Sequence, residues 1–465
     1  MKDRRRTSTS NFGVSGRESH DASGFYERFR APEQSTDTAI SEPVPIDEPF
    51  RTGDARSMTG VHDGTVALVI TSPPYFAGKT YEEELERDGV PSSYLEYLDM
   101  LTEVFAECVR VLEPGGRLCV NVANLGRKPY RSLASDVIRI LELDLGLLLR
   151  GEIIWQKGEG ASGSCAWGSY RSASNPVLRD LTERVIVASK GRFDRGLSTK
   201  RREEAGLPHR STSTTDDFLA STLDVWSIPP ESASRVGHPA PFPVELPEQL
   251  ITLYSFEDDL VLDPFMGSGS TLVAASRLKR RFVGYDLDPS FVALATTRVA
   301  TEGHALDAPS DPRGMAALAR EALEGAGFSI TSTQRRVPKT ALTVPFIADD
   351  HVGRTWHVEL GGSNTSRRGG LQRSEAVLRS LGRIAALRGR LGRDAPIMLA
   401  TSALPDARHE ADTLLRAAGP SLITDVIDLL DPAALGRLAA YGRQDASVSI
   451  RSIPGFWSAD EIATA

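Results

Sequence analysis

Cysteine is scarce in this chain, with 3 in 465 residues. Cys108, Cys119 and Cys165 have no metal-type spacing and are too few for a disulfide framework, which fits a reducing cytoplasm. No apolar run approaches the roughly 18–20 residues of a membrane span, so no membrane partner is expected. The start, Met1-Lys2-Asp3-Arg4-Arg5-Arg6, is basic, but no apolar core follows, so it does not read as a secretory signal. Positive charge is not in excess either. The net charge of −8 argues against non-specific coating of polyanions, though not against a local basic face. The full Gly-x4-Gly-Lys-Ser/Thr pattern of a phosphate loop is absent, so a triphosphate is not the expected ligand.

What is present begins with Thr71-Ser72-Pro73-Pro74-Tyr75. It follows Val66 to Ile70, an apolar run that reads as a buried strand. Two prolines cannot extend a strand, because they donate no ladder hydrogen bonds. The chain must break at the strand's carboxyl end, where open α/β sheets place ligands. Ser72 offers a hydroxyl, Pro73 a rigid carbonyl and Tyr75 an aromatic face. That set suits a planar ring with an exocyclic amine, whose hydrogens the hydroxyl and carbonyl accept while Tyr75 stacks on the ring. The same residues also fit an ordinary Pro-Pro turn.

Residues 1–49 are rich in Ser, Thr, Arg, Glu and Pro and read as a mostly disordered arm, with Phe25 to Phe29 as a docking exception. From 50 to about 300, strand and helix patterns alternate, as in a doubly wound, parallel α/β sheet. Helices are expected over 93–112, 133–149, 246–254, 271–278 and 289–299. Pro114-Gly115-Gly116 is expected to separate the first helix from a strand over 117–122. Residues 191–234 read as a polar loop with a basic cluster, Arg192, Arg195, Lys200, Arg201 and Arg202. Residues 301–337 read as a helical linker, and 338–465 as a second α/β domain.

A second motif is Asp263-Pro264-Phe265-Met266-Gly267-Ser268-Gly269-Ser270-Thr271, between a strand pattern and a helix pattern. Glycines there let the backbone approach a ligand closely. Asp286 ends the next strand, where a carboxylate can accept hydrogen bonds from both ribose hydroxyls. The plain alternative is a tight turn and a solvated Asp. Together the motifs place a nucleoside cofactor beside an amine pocket, and S-adenosylmethionine joins those two demands.

In these motifs the chain resembles the amino-directed DNA methyltransferases, which modify cytosine N4 or adenine N6 of double-stranded DNA. The resemblance spans about residues 24–300 and implies a Rossmann-like sheet. Thr71 to Tyr75 match the catalytic motif, which implies catalytic roles for Ser72, Pro73, Pro74 and Tyr75. Asp263 to Thr271 match the cofactor loop and Phe282 to Pro289 the ribose-binding strand end. His238 to Ile251 match the segment bordering the cofactor's methionine end, and Gly53 to Met58 the turn whose Asp54 approaches its adenine. The resemblance thus implies cofactor contacts from Asp54, Thr71, His238, Pro239, Phe242, Asp263, Pro264, Phe265, Gly267, Ser268, Gly269 and Asp286. The catalytic motif precedes the cofactor loop, the circularly permuted order of the family's β class. Such an order is tolerable because termini lie at the surface, often close together.

Adenine-N6 members usually carry Asp or Asn where Ser72 stands, and cytosine-N4 members usually Ser, so the resemblance implies cytosine N4. Target recognition is expected from about 158–234, where Trp167 to Asp180 also resembles family members, as a DNA contact or a structural hairpin. A restriction or defence partner is a further expectation. Other readings are the same chemistry on RNA or a protein amide, or a DNA-binding module without catalysis. In the second domain, Asp349, Asp350 and Glu359 resemble the acids of restriction-endonuclease-like cores, which hold Mg²⁺. Gly361 stands where that pattern has lysine, so an inactive DNA-binding or interaction domain is favoured over an active nuclease. Arg367, Arg368, Arg373, Arg379 and Arg383 are its expected DNA grip.

Overall fold

The structure, a computed structural model, describes residues 33–41, 44–75, 93–125, 130–158, 169, 171–238, 241–304, 312–338, 340–365, 369–407, 409–443 and 455–463. Phe25 to Phe29, Cys165, Pro239, Arg367, Arg368 and part of 167–180 lie outside these. The described stretch of the N-terminal arm is tied to the body. Ser35 N donates to the Gly191 carbonyl at 2.6 Å, and Arg281 Nη1 to that of Val44 at 2.8 Å.

Eight strands build the first sheet: β1 (Phe50–Thr52), β2 (Val66–Thr71), β3 (Leu112–Val122), β4 (Leu148–Gln156), β5 (Thr182–Ser189), β6 (Val225–Ser227), β7 (Leu260–Asp263) and β8 (Arg281–Asp286). Their order in space is β1-β8-β7-β2-β3-β5-β4-β6. Every pairing is parallel except those of β5, which runs against both β3 and β4. All six residues of β2 are buried, because helices cover both faces of the sheet. Side chains alternate between two cores: Val69 packs with Leu101 and Phe105, Leu68 and Ile70 with Leu250 and Val273.

The helices are α1 (Tyr94–Val111), α2 (Leu133–Arg139), α3 (Thr199–Glu204), α4 (Thr215–Ser221), α5 (Ala233–Val236), α6 (Glu245–Tyr254), α7 (Ser270–Arg277) and α8 (Pro289–Glu302). Ser93 caps α1 by accepting from Glu96 N at 3.2 Å. Three stretches differ from the sequence reading. The helix expected to reach 149 stops at Arg139 and relaxes into a π-helical turn, Ile140–Asp144; Gly146, at φ 65°, then turns the chain toward β4. Pro114 to Gly116 do not separate helix from strand. They form an irregularity inside β3, which starts directly after α1. The 191–234 loop holds α3, α4, β6 and α5.

The basic cluster of that loop is also not a DNA-facing set. Arg202 is buried and Arg195 half-buried, and they share Glu113 and Asp259, both buried. Arg202 Nη1 lies 3.3 Å from Glu113 and its Nη2 3.2 Å from Asp259. Desolvating four charges is tolerable only because each finds opposite partners. Arg192 is held by Asp194 and the Asp37 carbonyl. Lys200 and Arg201 are the exposed members.

The second sheet has the order β13-β12-β11-β10-β9, made from β9 (Ser329–Arg336), β10 (Thr343–Asp349), β11 (Thr355–Gly361), β12 (Ile397–Thr401) and β13 (Asp425–Asp428). Its helices are α9 (Met315–Gly325), α10 (Ser374–Leu391), α11 (Glu410–Leu422), α12 (Pro432–Arg443) and α13 (Ala459–Ala463). The segment read as a linker is therefore part of this unit: β9 pairs with β10, and α9 packs beneath the sheet. The unit docks on the insertion of the first. Asp216 Oδ2 accepts from Asn364 N at 2.7 Å and Met315 N at 3.0 Å, and Arg373 Nη2 donates to Glu245 Oε1 at 2.6 Å.

The acids that resemble a metal-binding set do not converge. Asp350 accepts from Trp356 Nε1 at 3.0 Å and from the backbone N of Arg354 at 2.8 Å, closing the β10–β11 turn. Asp349 accepts from Thr355 Oγ1 at 2.7 Å. Glu359 lies four residues further along β11 and pairs with Arg383 at 3.0 Å. Among the described residues no three His, Cys, Asp or Glu side chains could share a metal ion. Of the described arginines of the expected DNA grip, Arg383 pairs with Glu359 and Arg373 with Glu245, while Arg379 stays exposed beside Glu375. No helix among the described residues is long and apolar enough to cross a membrane.

Candidate active site

The sheet reverses its winding between β7 and β2. Strands β8 and β1 extend one way from β7, and β3 to β6 the other way from β2. Loops leaving the carboxyl ends on either side of such a point frame a crevice. Here they are Thr71–Tyr75 after β2 and the 263–269 loop after β7.

One buried carboxylate joins them. Asp263 Oδ1 accepts from Thr71 Oγ1 at 2.8 Å and from Phe265 N at 3.1 Å, and Oδ2 accepts from Thr271 Oγ1 at 2.7 Å. Burial pushes its carboxyl up to about 6 despite these donors. Asp263 is fully buried with both oxygens engaged, so it faces the protein and ties the two loops together. The same holds for Ser268, whose hydroxyl and carbonyl accept from Arg298 Nη1 at 3.0 and 2.9 Å. Pro264 is buried, and Phe265 and Phe242 pack against the two cores.

The loop itself offers a backbone cradle. Gly267 and Gly269 have φ of 47° and 79°. A Cβ on Gly267 would lie 2.7 Å from His238 Nε2, and one on Gly269 2.8 Å from Ala295 Cβ. His238 is half-buried, its ring 4.7 Å from that of Phe291; burial and Arg298 bring it down to about 4, so it is neutral near pH 7. Ser270 Oγ donates to the Phe242 carbonyl at 2.8 Å, which draws the 238–242 segment to the loop.

Asp286 closes the cradle. Its oxygens accept from Gly267 N at 3.0 Å and Asp288 N at 2.9 Å, with the Leu287 backbone beside them. A carboxylate oxygen has about two acceptor sites, so the pair retains capacity for a hydroxyl. Burial raises its carboxyl above the usual range. Gly53 N donates to the Asp286 carbonyl at 2.9 Å, bringing the 53–58 turn alongside. Asp54 is there but not free: Arg56 holds it at 2.6 Å and keeps its carboxyl low.

On the other side, Ser72 Oγ lies 3.0 Å from Tyr75 OH. Tyr75 OH donates to Glu183 Oε2 at 3.1 Å, and Asn121 Nδ2 donates to the same oxygen at 2.5 Å. Lys157 is ion-paired with the other oxygen of Glu183. Burial drives the Tyr75 phenol well above its ordinary value. Glu183, Asn121, Lys157 and Arg298 have no place in the sequence reading. Glu183 arrives because β5 is reversed, so its first residues lie at the edge where β3 and β4 end.

The motifs that frame this crevice occur in proteins of known kind. The family model for DNA methylases of the N6/N4 group matches residues 66–297. The type II methyltransferase M.MjaVI of Methanocaldococcus jannaschii is 30% identical over 173 residues, 37% of this chain and 81% of that protein. The chain belongs to the N6/N4 amino-directed DNA methyltransferases. M.MjaI of the same organism, also a type II methyltransferase, is 28% identical over 280 residues, 53% of this methyltransferase and 89% of its relative. A Thermus thermophilus protein solved with S-adenosyl-L-methionine is 30% identical, covering 56% of this chain and 95% of its own, at a TM-score of 0.41.

The methyltransferase uses S-adenosyl-L-methionine, and the cradle fits it. The glycines leave room for close backbone approach, and Asp286 has acceptor capacity for ribose hydroxyls.

Proposed function

We propose that this DNA methyltransferase modifies cytosine at N4, at a specific sequence in duplex DNA, as the modification half of a restriction system. The observation that carries the base assignment is Ser72, a neutral hydroxyl at the catalytic position, anchored 3.0 Å from Tyr75 OH. The names of the relatives, type II methyltransferases, support the restriction context.

The exocyclic amine of a base is a poor nucleophile, because its lone pair is delocalised into the ring. Ser72 Oγ and the Pro73 carbonyl accept its hydrogens, which favours a more tetrahedral nitrogen with a freer lone pair. The cofactor supplies a sulfonium methyl, open to direct displacement without a covalent enzyme intermediate. Gly267, Gly269 and Asp286 would hold it, with Asp54 and His238 around it, while Thr71, fully buried and bonded to Asp263, braces the loop from behind. The base must first leave the helix, at a cost of a few kcal/mol. Tyr75 stacks on it, and such stacking is worth about 1–3 kcal/mol. Recognition falls to the 158–234 insertion, through its exposed residues such as Lys200 and Arg201 and not through Arg195 and Arg202, which pair with Glu113 and Asp259.

Ser72→Ala tests the role of the serine. It is expected to lose methyl transfer to DNA while binding S-adenosylmethionine as the wild type does. Transfer at the wild-type rate would contradict it.

A further inference from the structure

The hydroxyl of Tyr75 is committed before any base arrives. Glu183, which receives it, is buried, as is Asn121 beside it. Lys157 pairs with Glu183 and lies 5.3 Å from the Trp155 ring centroid. Asn121 Nδ2 also lies 3.4 Å from Tyr75 OH and 3.5 Å from Ser72 Oγ. Five side chains from the ends of four strands thus form one connected polar group.

The chemistry of these groups sets the direction of each bond. A carboxylate only accepts, and an ammonium only donates. Glu183 Oε2 therefore accepts the hydrogen bond of the Tyr75 hydroxyl, and the Tyr75 oxygen is left to accept from Ser72. With its hydrogen turned toward Tyr75, Ser72 presents lone pairs to the pocket. A hydroxyl turned the other way would present a hydrogen to an amine that itself carries hydrogens. Asn121 cannot flip, because its amide oxygen would then face a carboxylate oxygen at 2.5 Å.

We propose that Glu183 is a positioning residue for methyl transfer. Through Tyr75 it turns the Ser72 oxygen toward the amine of the target base, with Lys157 and Asn121 holding Glu183 in place. The proposal rests on the role given to Ser72 under Proposed function.

Glu183→Gln offers one acceptor where there were two. Lys157, a charged donor, claims that oxygen and turns the new NH₂ toward Tyr75 and Asn121, whose amide then flips to accept from it. The bond direction reverses along the chain, and Ser72 then points its hydrogen at the amine. Removing the competitor with Lys157→Met frees the amide to turn its oxygen back to Tyr75.

The test is single-turnover transfer of labelled methyl from S-adenosylmethionine to unmethylated genomic DNA by the full chain, with cofactor affinity measured by calorimetry. Glu183→Gln is expected to slow transfer about 10-fold, the size of one misdirected hydrogen bond, with cofactor affinity unchanged. Adding Lys157→Met is expected to recover roughly threefold of that loss, which a merely structural role would not do. A wild-type rate in Glu183→Gln overturns the proposal, as does a double variant no faster than the single one. Should Glu183→Gln fail to fold, Tyr75→Phe decides: a similar loss supports the chain of bonds, and a wild-type rate overturns it. N6-methyladenine as product with the same variant pattern overturns the base assignment and keeps the role of Glu183.

Discussion

Thr71 Oγ1 donates to Asp263 Oδ1 at 2.8 Å, across 192 residues of sequence. The bond joins the last residue of β2 to the last residue of β7, and so the proposed catalytic loop to the proposed cofactor loop. Thr71→Val leaves a lone pair of a fully buried carboxyl without its donor. It is expected to lower stability by about 1–3 kcal/mol in urea denaturation. Thr71→Ser keeps the hydroxyl and should recover most of that.

Asp263 also gives stability a pH dependence. Its carboxyl is raised from 3.8 to about 6 in the folded protein, so the folded state holds the proton more tightly than the unfolded chain. The contribution is fully present below about pH 3.8 and is lost as pH rises through about 6. Its size is roughly 3 kcal/mol. Asp263→Asn should flatten the stability profile over that window in denaturation at stepped pH. An unchanged slope would contradict the shift.

The cradle depends on two missing side chains. Gly269→Ala would set a Cβ 2.8 Å from Ala295 Cβ, on a backbone at φ 79°. Calorimetry should show S-adenosylmethionine binding weakened about 10-fold or more, from a steric and dihedral cost of about 1–3 kcal/mol. Gly206→Ala, at a comparable φ of 69° but with open space around it, should leave binding unchanged.

Arg202 and Lys200 contrast a structural charge with one proposed to meet DNA. It is buried between Glu113 and Asp259. Arg202→Ala should destabilise by about 3–5 kcal/mol, because two acids lose a partner in a dry site. Lys200→Ala, on an exposed turn of the same helix, should leave stability within about 0.5 kcal/mol and shallow the salt dependence of DNA binding instead.

These contrasts show where the sequence was legible. Strand β2 and its Pro-Pro stop could be read from apolar run and proline chemistry alone, and the glycine loop with Asp286 likewise. Both motifs are local in sequence. The neighbours of Tyr75, Asn121, Lys157 and Glu183, are not, since they meet only because β5 runs backwards. The 191–202 arginines misled for the same reason. A cluster of positive charge reads as a surface, and the buried acids that hold Arg202 lie far off in sequence, Asp259 at 57 residues and Glu113 at 89. In the second sheet, the acids Asp349, Asp350 and Glu359 are close in sequence, yet a turn cap and an arginine pair use them separately.

The central claim is that Ser72 presents its oxygen to the amine of cytosine. Its most direct measurement is nucleoside mass spectrometry of plasmid DNA incubated with the protein and labelled S-adenosylmethionine. Labelled N4-methylcytosine is the predicted product, absent with Ser72→Ala. Label in N6-methyladenine alone would contradict it.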